Sequence, residues 1–244
     1  MSTERTVDWE LAKRCLAALQ RNSEGFLGRA LLIGGAACWF YRVQLQQAND
    51  PDFFLPPLAP QTEAKWLSKD IDFTGIFAGD ALELLSRFVV RDAEGNSQIE
   101  VEGVRVGFAQ VGLTIDPEEA LREAHVGSFH HEGQLVEFLV IDPVSLCREK
   151  QALVQRRNQD QDLLHLALLR EYLPWAIVIH AQQLLEARSG VPVEEQQQFA
   201  NFALALRRKM PELLADARIA QRLKPWLEQD TLVRRFIKAQ LQLA

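Results

Sequence analysis

The chain lacks several features that would assign it to a specialised class. It has only three cysteines, Cys15, Cys38 and Cys147, which show neither a disulfide framework nor the spacing of zinc ligands. We interpret them as reduced core thiols in a reducing compartment. The longest apolar runs, 30–41 and 172–181, are too short to cross a bilayer, and the charged N-terminal segment lacks the apolar centre of a secretion signal. We therefore expect a cytoplasmic protein without a membrane partner.

An excess of basic residues is also absent. The 33 acidic residues outnumber the 27 lysines and arginines, giving a net charge of −6, whereas nucleic-acid-binding proteins usually present a basic surface. Nucleic acid is thus not indicated as a partner, although a local basic groove would still permit it. A content of 48% hydrophobic and 25% charged residues among 244 is typical of one or two globular domains with a sizeable core.

A Gly-Gly turn follows the first apolar segment of the chain. The run 30–33 is short and apolar, which predicts a buried strand, and the periodic segment 36–47 predicts a helix. Between them, Gly34 and Gly35 let the backbone turn sharply and approach a ligand closely. The unpaired N–H groups and positive dipole end of the helix would then face the turn, creating an anion site. An ordinary turn is the alternative for this dipeptide.

An acidic pair follows in the segment 70–74. If this segment is a strand, its period of two places Asp70 and Asp72 on one face and directs Ile71 and Phe73 to the core. Two carboxylates at this spacing can share a hard cation such as Mg²⁺. Taken alone, an Asp-x-Asp sequence is equally compatible with a solvated loop.

A third carboxylate is usual where two cations are bound. Glu137 stands alone in the apolar run 135–140, where it would bind a cation, pair with a basic residue or lie on an exposed face. Asp142 is the substitute, although its position before Pro143 favours a role in ending the strand and starting the next helix. On that helix, Lys150 could neutralise triphosphate charge or be an exposed lysine.

The residue patterns divide the chain into two predicted domains. Alternating and β-branched segments separated by turns occupy 88–115 and 134–141, whereas helical spacing without a strand pattern fills 143–244. We predict an α+β fold: a domain 1–142 with a mixed sheet and flanking helices, followed by a helical C-terminal domain 143–244.

The order strand, Gly-Gly, helix, acidic strand resembles the nucleotidyltransferase fold of the DNA polymerase beta superfamily. The resemblance implies a nucleotidyltransferase-like mixed sheet, an NTP substrate, two Mg²⁺ ions, and an active site in the cleft between the two predicted domains. It implies that Gly34 and Gly35 bind phosphates and that Asp70, Asp72 and Glu137 are the catalytic metal ligands. The hydroxyl acceptor, whether protein, tRNA or small molecule, is left open.

A second segment resembles bacterial abortive-infection nucleotidyltransferases, which are type IV toxin-like. Its basic residues are Lys150 and the pair 156–157, and they are followed by Asp162. The resemblance implies that Lys150 binds the nucleotide and that an antitoxin protein is a partner. Gln161 and His165 depart from the pattern, which expects a basic residue and a second Asp. These departures favour a different class, a non-catalytic nucleotide-binding or toxin–antitoxin interaction protein, as the alternative. A metal-dependent phosphohydrolase is a third hypothesis.

Overall fold

The structure is a computed structural model that describes residues 6–53, 55, 62, 66–109, 112–187, 192–228 and 231–243. The chain forms two compact units. Unit 1 comprises Met1–Gln44 and Pro56–Ala167, and unit 2 comprises Leu45–Leu55 and Leu168–Ala244. The domain boundary predicted after residue 142 lies inside unit 1, between its last strand and the following helix.

Unit 1 contains every strand of the described residues, together with helices that precede, connect and follow them. In chain order these elements are α1 (Trp9–Asn22), β1 (Leu31–Ile33), α2 (Gly34–Ala48), β2 (Asp70–Thr74), α3 (Ala78–Leu84), a 3₁₀ turn (Ser86–Phe88), β3 (Val89–Arg91), β4 (Ser97–Val101), β5 (Val104–Phe108), α4 (Pro117–Arg122), β6 (His125–His131), β7 (Gln134–Val140) and α5 (Pro143–Arg157). The α+β prediction is confirmed.

The seven strands form one mixed sheet in the order β3-β4-β5-β2-β1-β7-β6. β1 pairs parallel with β7 and β2 pairs parallel with β5, while the remaining neighbours are antiparallel. The two central strands, β1 and β2, therefore carry the Gly-Gly turn and the acidic pair. In β2, Ile71 and Phe73 are fully buried while Asp70 and Asp72 are half-buried, which confirms the predicted alternation.

Local chemistry explains several element ends. Glu102 and Gly103 both have positive φ angles of 53° and 74°, as the two-residue turn between β4 and β5 requires. Asp142 begins α5, because its Oδ1 accepts the N–H groups of Val144 and Ser145. β6 has no counterpart among the predicted strands, because its histidines, serine and glycine give no alternating apolar pattern.

Unit 2 is helical in its described residues, which confirms the helical character predicted for the C-terminal part. Its elements are the later turns of α6 (Asp160–Glu186), then α7 (Val193–Lys209), α8 (Pro211–Leu214), α9 (Ala217–Leu227) and α10 (Leu232–Leu241). Its ion pairs include Arg218 with Glu171 and Arg222 with Asp50. Within the residues that the structure describes, no helix combines the length and the apolar character needed to span a membrane.

Candidate functional site

A cavity of about 540 Å³ brings most of the predicted site residues together. This volume lies in the range of small-molecule sites. All of its lining residues belong to unit 1 and come from both sides of the boundary predicted after residue 142. The five predicted residues that line it are Gly34, Gly35, Asp70, Asp72 and Lys150.

The Gly-Gly turn forms one wall of this pocket, at the first residues of α2. Gly34 has a φ of +68°, and a Cβ atom there would lie 3.0 Å from Oδ2 of Asp72. At Gly35 a Cβ atom would lie 2.9 Å from the Cβ of Ser68. Any larger residue would therefore strain the backbone or displace a neighbour. Because the helix begins here, its first N–H groups and the positive end of its dipole lie beside the cavity.

Asp72 lies between two glycines. A Cβ atom at Gly107 of β5 would come within 2.5 Å of Oδ1 of Asp72, so both flanking backbones approach the carboxylate closely. Burial raises the pKa of Asp72 to about 6, and the charge of Asp70 adds to this effect, against the opposing influence of Lys150 and nearby arginines. Ionisation of the Asp72 carboxyl group in this buried position therefore costs free energy.

Asp70 differs from Asp72 because it already has a cationic partner. Arg105 on β5 donates from Nη2 to Oδ2 of Asp70 at 2.6 Å, and Ser68 donates from Oγ to Oδ1 at 3.2 Å. The Arg105 side chain is 62% exposed, so this ion pair contributes less than about 1 kcal/mol to stability.

A buried carboxylate holds two basic residues at the pocket wall. Asp162 accepts from Nζ of Lys150 at 3.0 Å and from Nε and Nη2 of Arg157 at 2.6 and 3.0 Å. The side chains of Lys150 and Asp162 are 5% and 0% exposed. Although burial favours the neutral acid, hydrogen bonds from Arg157 and the charge of Lys150 hold the pKa of Asp162 below its usual value. Lys150 is therefore not the exposed lysine of the alternative interpretation.

The two residues that depart from the toxin pattern have a structural role. Nε2 of Gln161 donates to the carbonyl oxygen of Leu67 at 2.9 Å, and Nε2 of His165 lies 3.3 Å from the carbonyl oxygen of Trp66. Both contacts fix the segment just before β2. His165 is fully buried, and burial lowers its pKa to about 3. His165 is therefore neutral, and its Nδ1 has no hydrogen-bond partner among the described residues.

Because His165 is buried in its neutral form, we expect the protein to lose stability in mild acid. Below pH 6.5 the unfolded chain gains a proton at His165 that the folded chain does not bind, so the free energy of unfolding falls as pH falls toward 3. The expected contribution is about 2 kcal/mol lost between pH 6.5 and pH 5. Urea denaturation at pH 7 and pH 5 should show a smaller loss for His165→Gln than for the wild type. His130→Gln, at an exposed position of β6, should retain the wild-type loss; an equal loss in all three proteins would contradict this prediction.

The structure corrects the prediction of the third carboxylate. Glu137 is exposed on β7, where its N–H donates to Oε1 of Gln20 and its cross-strand partner is Ser128. Glu137 is absent from the lining of the pocket. Since β7 pairs with β1 rather than with β2, the prediction that Glu137 joins the acidic pair is wrong. Asp142 also lies outside the lining and acts as the cap of α5.

Two pocket residues were missed by the sequence analysis. Arg105 could have been noticed only through its place on a strand beside β2, which the sequence does not disclose. Glu149 of α5 accepts the N–H of Leu113 at 2.9 Å and both the N–H and the Oγ1 hydroxyl of Thr114 at 2.7 and 2.9 Å. Glu149 thus holds the segment 112–115 against the pocket, and nothing in its sequence context marks this role.

The sequence matches no family model and no curated protein. The structure is similar to that of an antigenic nucleotidyltransferase-like protein from Paracoccidioides brasiliensis, with a TM-score of 0.41 and 17% sequence identity, covering 90% of this chain and 95% of that chain. Residue roles are therefore inferred from the geometry of the pocket itself.

Proposed function

We propose that this pocket binds a nucleoside triphosphate with a divalent cation and transfers its nucleotidyl group to a hydroxyl acceptor. The observation that carries the proposal is the meeting of a Gly-Gly helix N-terminus, two carboxylates of one strand and buried Lys150 around one cavity. These groups supply anion donors, cation ligands and phosphate counter-charge, which this reaction requires. The resemblance of the motif order to the DNA polymerase beta superfamily agrees with it.

The two carboxylates of the acidic pair, Asp70 and Asp72, suit a single Mg²⁺ ion. Mg²⁺ is commonly held by one or two carboxylates together with substrate phosphates and water. Asp72 has neither a hydrogen bond nor an ion pair to any described residue, and burial, together with the nearby charge of Asp70, raises its pKa. When bound, Mg²⁺ would polarise phosphate oxygens as a Lewis acid. The three-carboxylate set expected for two ions is not found in the described part of the pocket.

The remaining roles follow from the positions of the side chains. In this proposal the first N–H groups of α2, at Gly34 and Gly35, bind phosphate oxygens, and Asp70 and Asp72 hold the cation. Lys150 donates one N–H to Asp162, which leaves two donors for a phosphate. Arg157 adds positive charge at the same wall. The acceptor is left open, since a fold does not determine its substrate.

A second candidate is a nucleotide-binding protein without transfer activity, which would act through a partner such as an antitoxin. The specific observation in its favour is the ion pair between Arg105 and Asp70. In a transferase, the Asp70 carboxylate would benefit from a further cation in place of Arg105. In the second candidate, the pocket would retain nucleotide affinity but produce no covalent product.

The two candidates can be separated with the purified chain. Each NTP would be titrated calorimetrically with Mg²⁺ and with EDTA, and α-labelled NTP would then be incubated with cell extract. Mg²⁺-dependent binding with label transfer and pyrophosphate release would support the first proposal. Binding without transfer would support the second, and release of orthophosphate would indicate the phosphohydrolase. Absence of binding for every NTP would overturn both proposals.

Gly35→Val should weaken NTP binding for two separable reasons. The new side chain would collide with Ser68, at a cost of about 1–3 kcal/mol in stability, and it would crowd the N–H groups that face the phosphates. The double variant Gly35→Val with Ser68→Gly relieves the collision. We expect it to melt close to Ser68→Gly alone while its affinity for a non-hydrolysable NTP stays roughly tenfold or more lower. Recovery of the affinity in the double variant would show that the Gly-Gly pair is an ordinary turn.

A further inference from the structure

We infer that the pocket takes one divalent cation and that Arg105 supplies the positive charge that a second cation would otherwise provide. The inference rests on the proposed function, because it concerns how the same site neutralises a triphosphate. It is carried by the arrangement of the strands on either side of β2 and by the partners of the two aspartates.

The first observation is the register between β2 and β5. The two strands run parallel, with Asp70 opposite Arg105 and Asp72 opposite Gly107. Because side chains alternate along a strand, the residues of this segment on the face of the acidic pair are Arg105, Gly107 and, just beyond β5, Ala109. None of them is acidic. The strand beside the acidic pair therefore contributes a guanidinium group where a third carboxylate would complete a two-cation site.

The second observation is that no carboxylate fits at the neighbouring position. A Cβ atom at Gly107 would already come within 2.5 Å of Oδ1 of Asp72, so any side chain there would displace that carboxylate. On the other side of β2, Asp72 lies opposite Ile33 of β1, which is apolar. On the two strands that flank the acidic pair, position 105 is thus the place from which a charged side chain reaches the aspartates.

The third observation concerns the pocket's remaining acid, Glu149. Its two carboxylate oxygens accept hydrogen bonds from Leu113 and Thr114. Recruiting it as a cation ligand would weaken these charge-assisted hydrogen bonds, which hold the segment 112–115 against the pocket. Across the described residues, no group of three or more His, Cys, Asp or Glu side chains is arranged to hold a metal ion.

The fourth observation is the asymmetry between the aspartates. Both oxygens of Asp70 accept hydrogen bonds, from Arg105 and Ser68, whereas the described residues provide none to Asp72. Asp72, which accepts no hydrogen bond from these residues, is therefore the carboxylate that needs a cation, and Asp70 completes the coordination of that cation from one side. Arg105 remains charged at any working pH and can contact a carboxylate and a phosphate through separate N–H groups. Its side chain is 62% exposed at the pocket rim, which leaves it accessible to a bound phosphate.

The test is the number of Mn²⁺ ions bound, measured by the electron paramagnetic resonance signal of free Mn²⁺ during titration. The protein would be saturated with a non-hydrolysable NTP analogue, and the variants would be Arg105→Lys, Arg105→Gln and Arg105→Asp. Arg91→Gln is the control, because Arg91 is an exposed arginine on β3 of the same sheet. Thermal melting without metal would establish that each variant is folded.

We expect one Mn²⁺ per wild-type chain and two per Arg105→Asp chain. Arg105→Gln should still bind one ion but should bind the analogue roughly tenfold more weakly, since a charged hydrogen bond is lost. Arg105→Lys should recover most of the affinity, and Arg91→Gln should match the wild type. Two ions bound to the wild type would overturn this inference and leave the proposed function intact. Unchanged analogue affinity in Arg105→Gln would also overturn it. A wild-type chain that binds neither Mn²⁺ nor the analogue would overturn both.

Discussion

Asp72→Asn is expected to abolish Mg²⁺-dependent nucleotide binding while raising the stability of the metal-free protein. The first effect follows because a neutral amide replaces the carboxylate that is proposed to bind the cation and that accepts no hydrogen bond from the described residues. An amide is a much weaker Mg²⁺ ligand than a carboxylate. We expect the affinity for the Mg²⁺–NTP complex to fall by about a hundredfold or more, equivalent to nearly 3 kcal/mol.

The gain in stability follows from the raised pKa of Asp72, about 6 in the folded chain against 3.8 as the ordinary value. The folded chain therefore retains a proton at pH values where the unfolded chain has released it. Its contribution to stability is favourable at low pH and is lost as pH rises through 6, reaching a cost of up to roughly 3 kcal/mol above that pH. Asparagine carries no charge to desolvate, so Asp72→Asn should be more stable by about 1–3 kcal/mol at pH 8 and by less at pH 5.

Urea denaturation at pH 5 and pH 8 in the presence of EDTA measures this effect, and calorimetry with Mg²⁺ and NTP measures binding. Glu137→Gln is the matched control, because it removes an exposed carboxylate from the same sheet outside the pocket. It should change neither quantity. A less stable Asp72→Asn protein at pH 8, or one that retains Mg²⁺-dependent binding, would contradict the assignment.

Lys150→Met should lower both stability and affinity for the triphosphate. Methionine preserves most of the side-chain volume, so the change isolates the charge. It leaves Asp162, whose side chain is fully buried, with Arg157 as its remaining ion-pair partner. Breaking a buried pair in this way typically costs 3–5 kcal/mol. Because Arg157 still compensates part of the charge, we expect a loss of about 2–4 kcal/mol.

The functional part of this prediction is selective for phosphate. Affinity for NTP should fall at least roughly tenfold, whereas affinity for the corresponding nucleoside should be unchanged, because the lost contact is with phosphate charge. The loss should depend only weakly on salt, since a buried ammonium is poorly screened. Arg156→Met, at an exposed position on the same helix, is the control. Combining Lys150→Met with Asp162→Asn should restore part of the stability. Equal losses of affinity for NTP and nucleoside would contradict the assignment of Lys150 to the phosphate site.

The resemblance to the toxin segment was partly informative about structure. It drew attention to Lys150 and Asp162, which form a buried ion pair at the pocket wall. It also marked Gln161 and His165 as departures, and these residues instead hold the backbone before β2. Whether an antitoxin binds this protein stays a prediction.

Features that depend on a few neighbouring residues could be predicted from the sequence. The alternation of Asp70 and Asp72 with Ile71 and Phe73 follows from the period of a strand. The helix after the Gly-Gly turn follows from apolar spacing over four turns. The capping role of Asp142 follows from the proline behind it, which suits the first position of a helix.

Features that depend on which strands become neighbours could not be predicted. Glu137 was assigned to the acidic pair because it was the conspicuous acid on a later strand, yet β7 pairs with β1 and with β6. The strands beside the acidic pair are β1 and β5, and β5 brings Arg105 to Asp70 and Gly107 to Asp72. β5 itself was predicted as a strand, but not as a neighbour of β2.

The sequence by itself determined the α+β character, the Gly-Gly helix start and the acidic strand, because backbone geometry and side-chain periodicity act over a few residues. Only the tertiary structure decided that Glu137 does not join the acidic pair at the pocket, that Arg105 contacts Asp70, and that Lys150 is held by Asp162. The Lys150–Asp162 and Arg105–Asp70 ion pairs join residues 12 and 35 positions apart, and the β1–β7 pairing joins Leu31 to Leu139. Such contacts depend on the packing of the whole sheet and its helices, which no local pattern specifies.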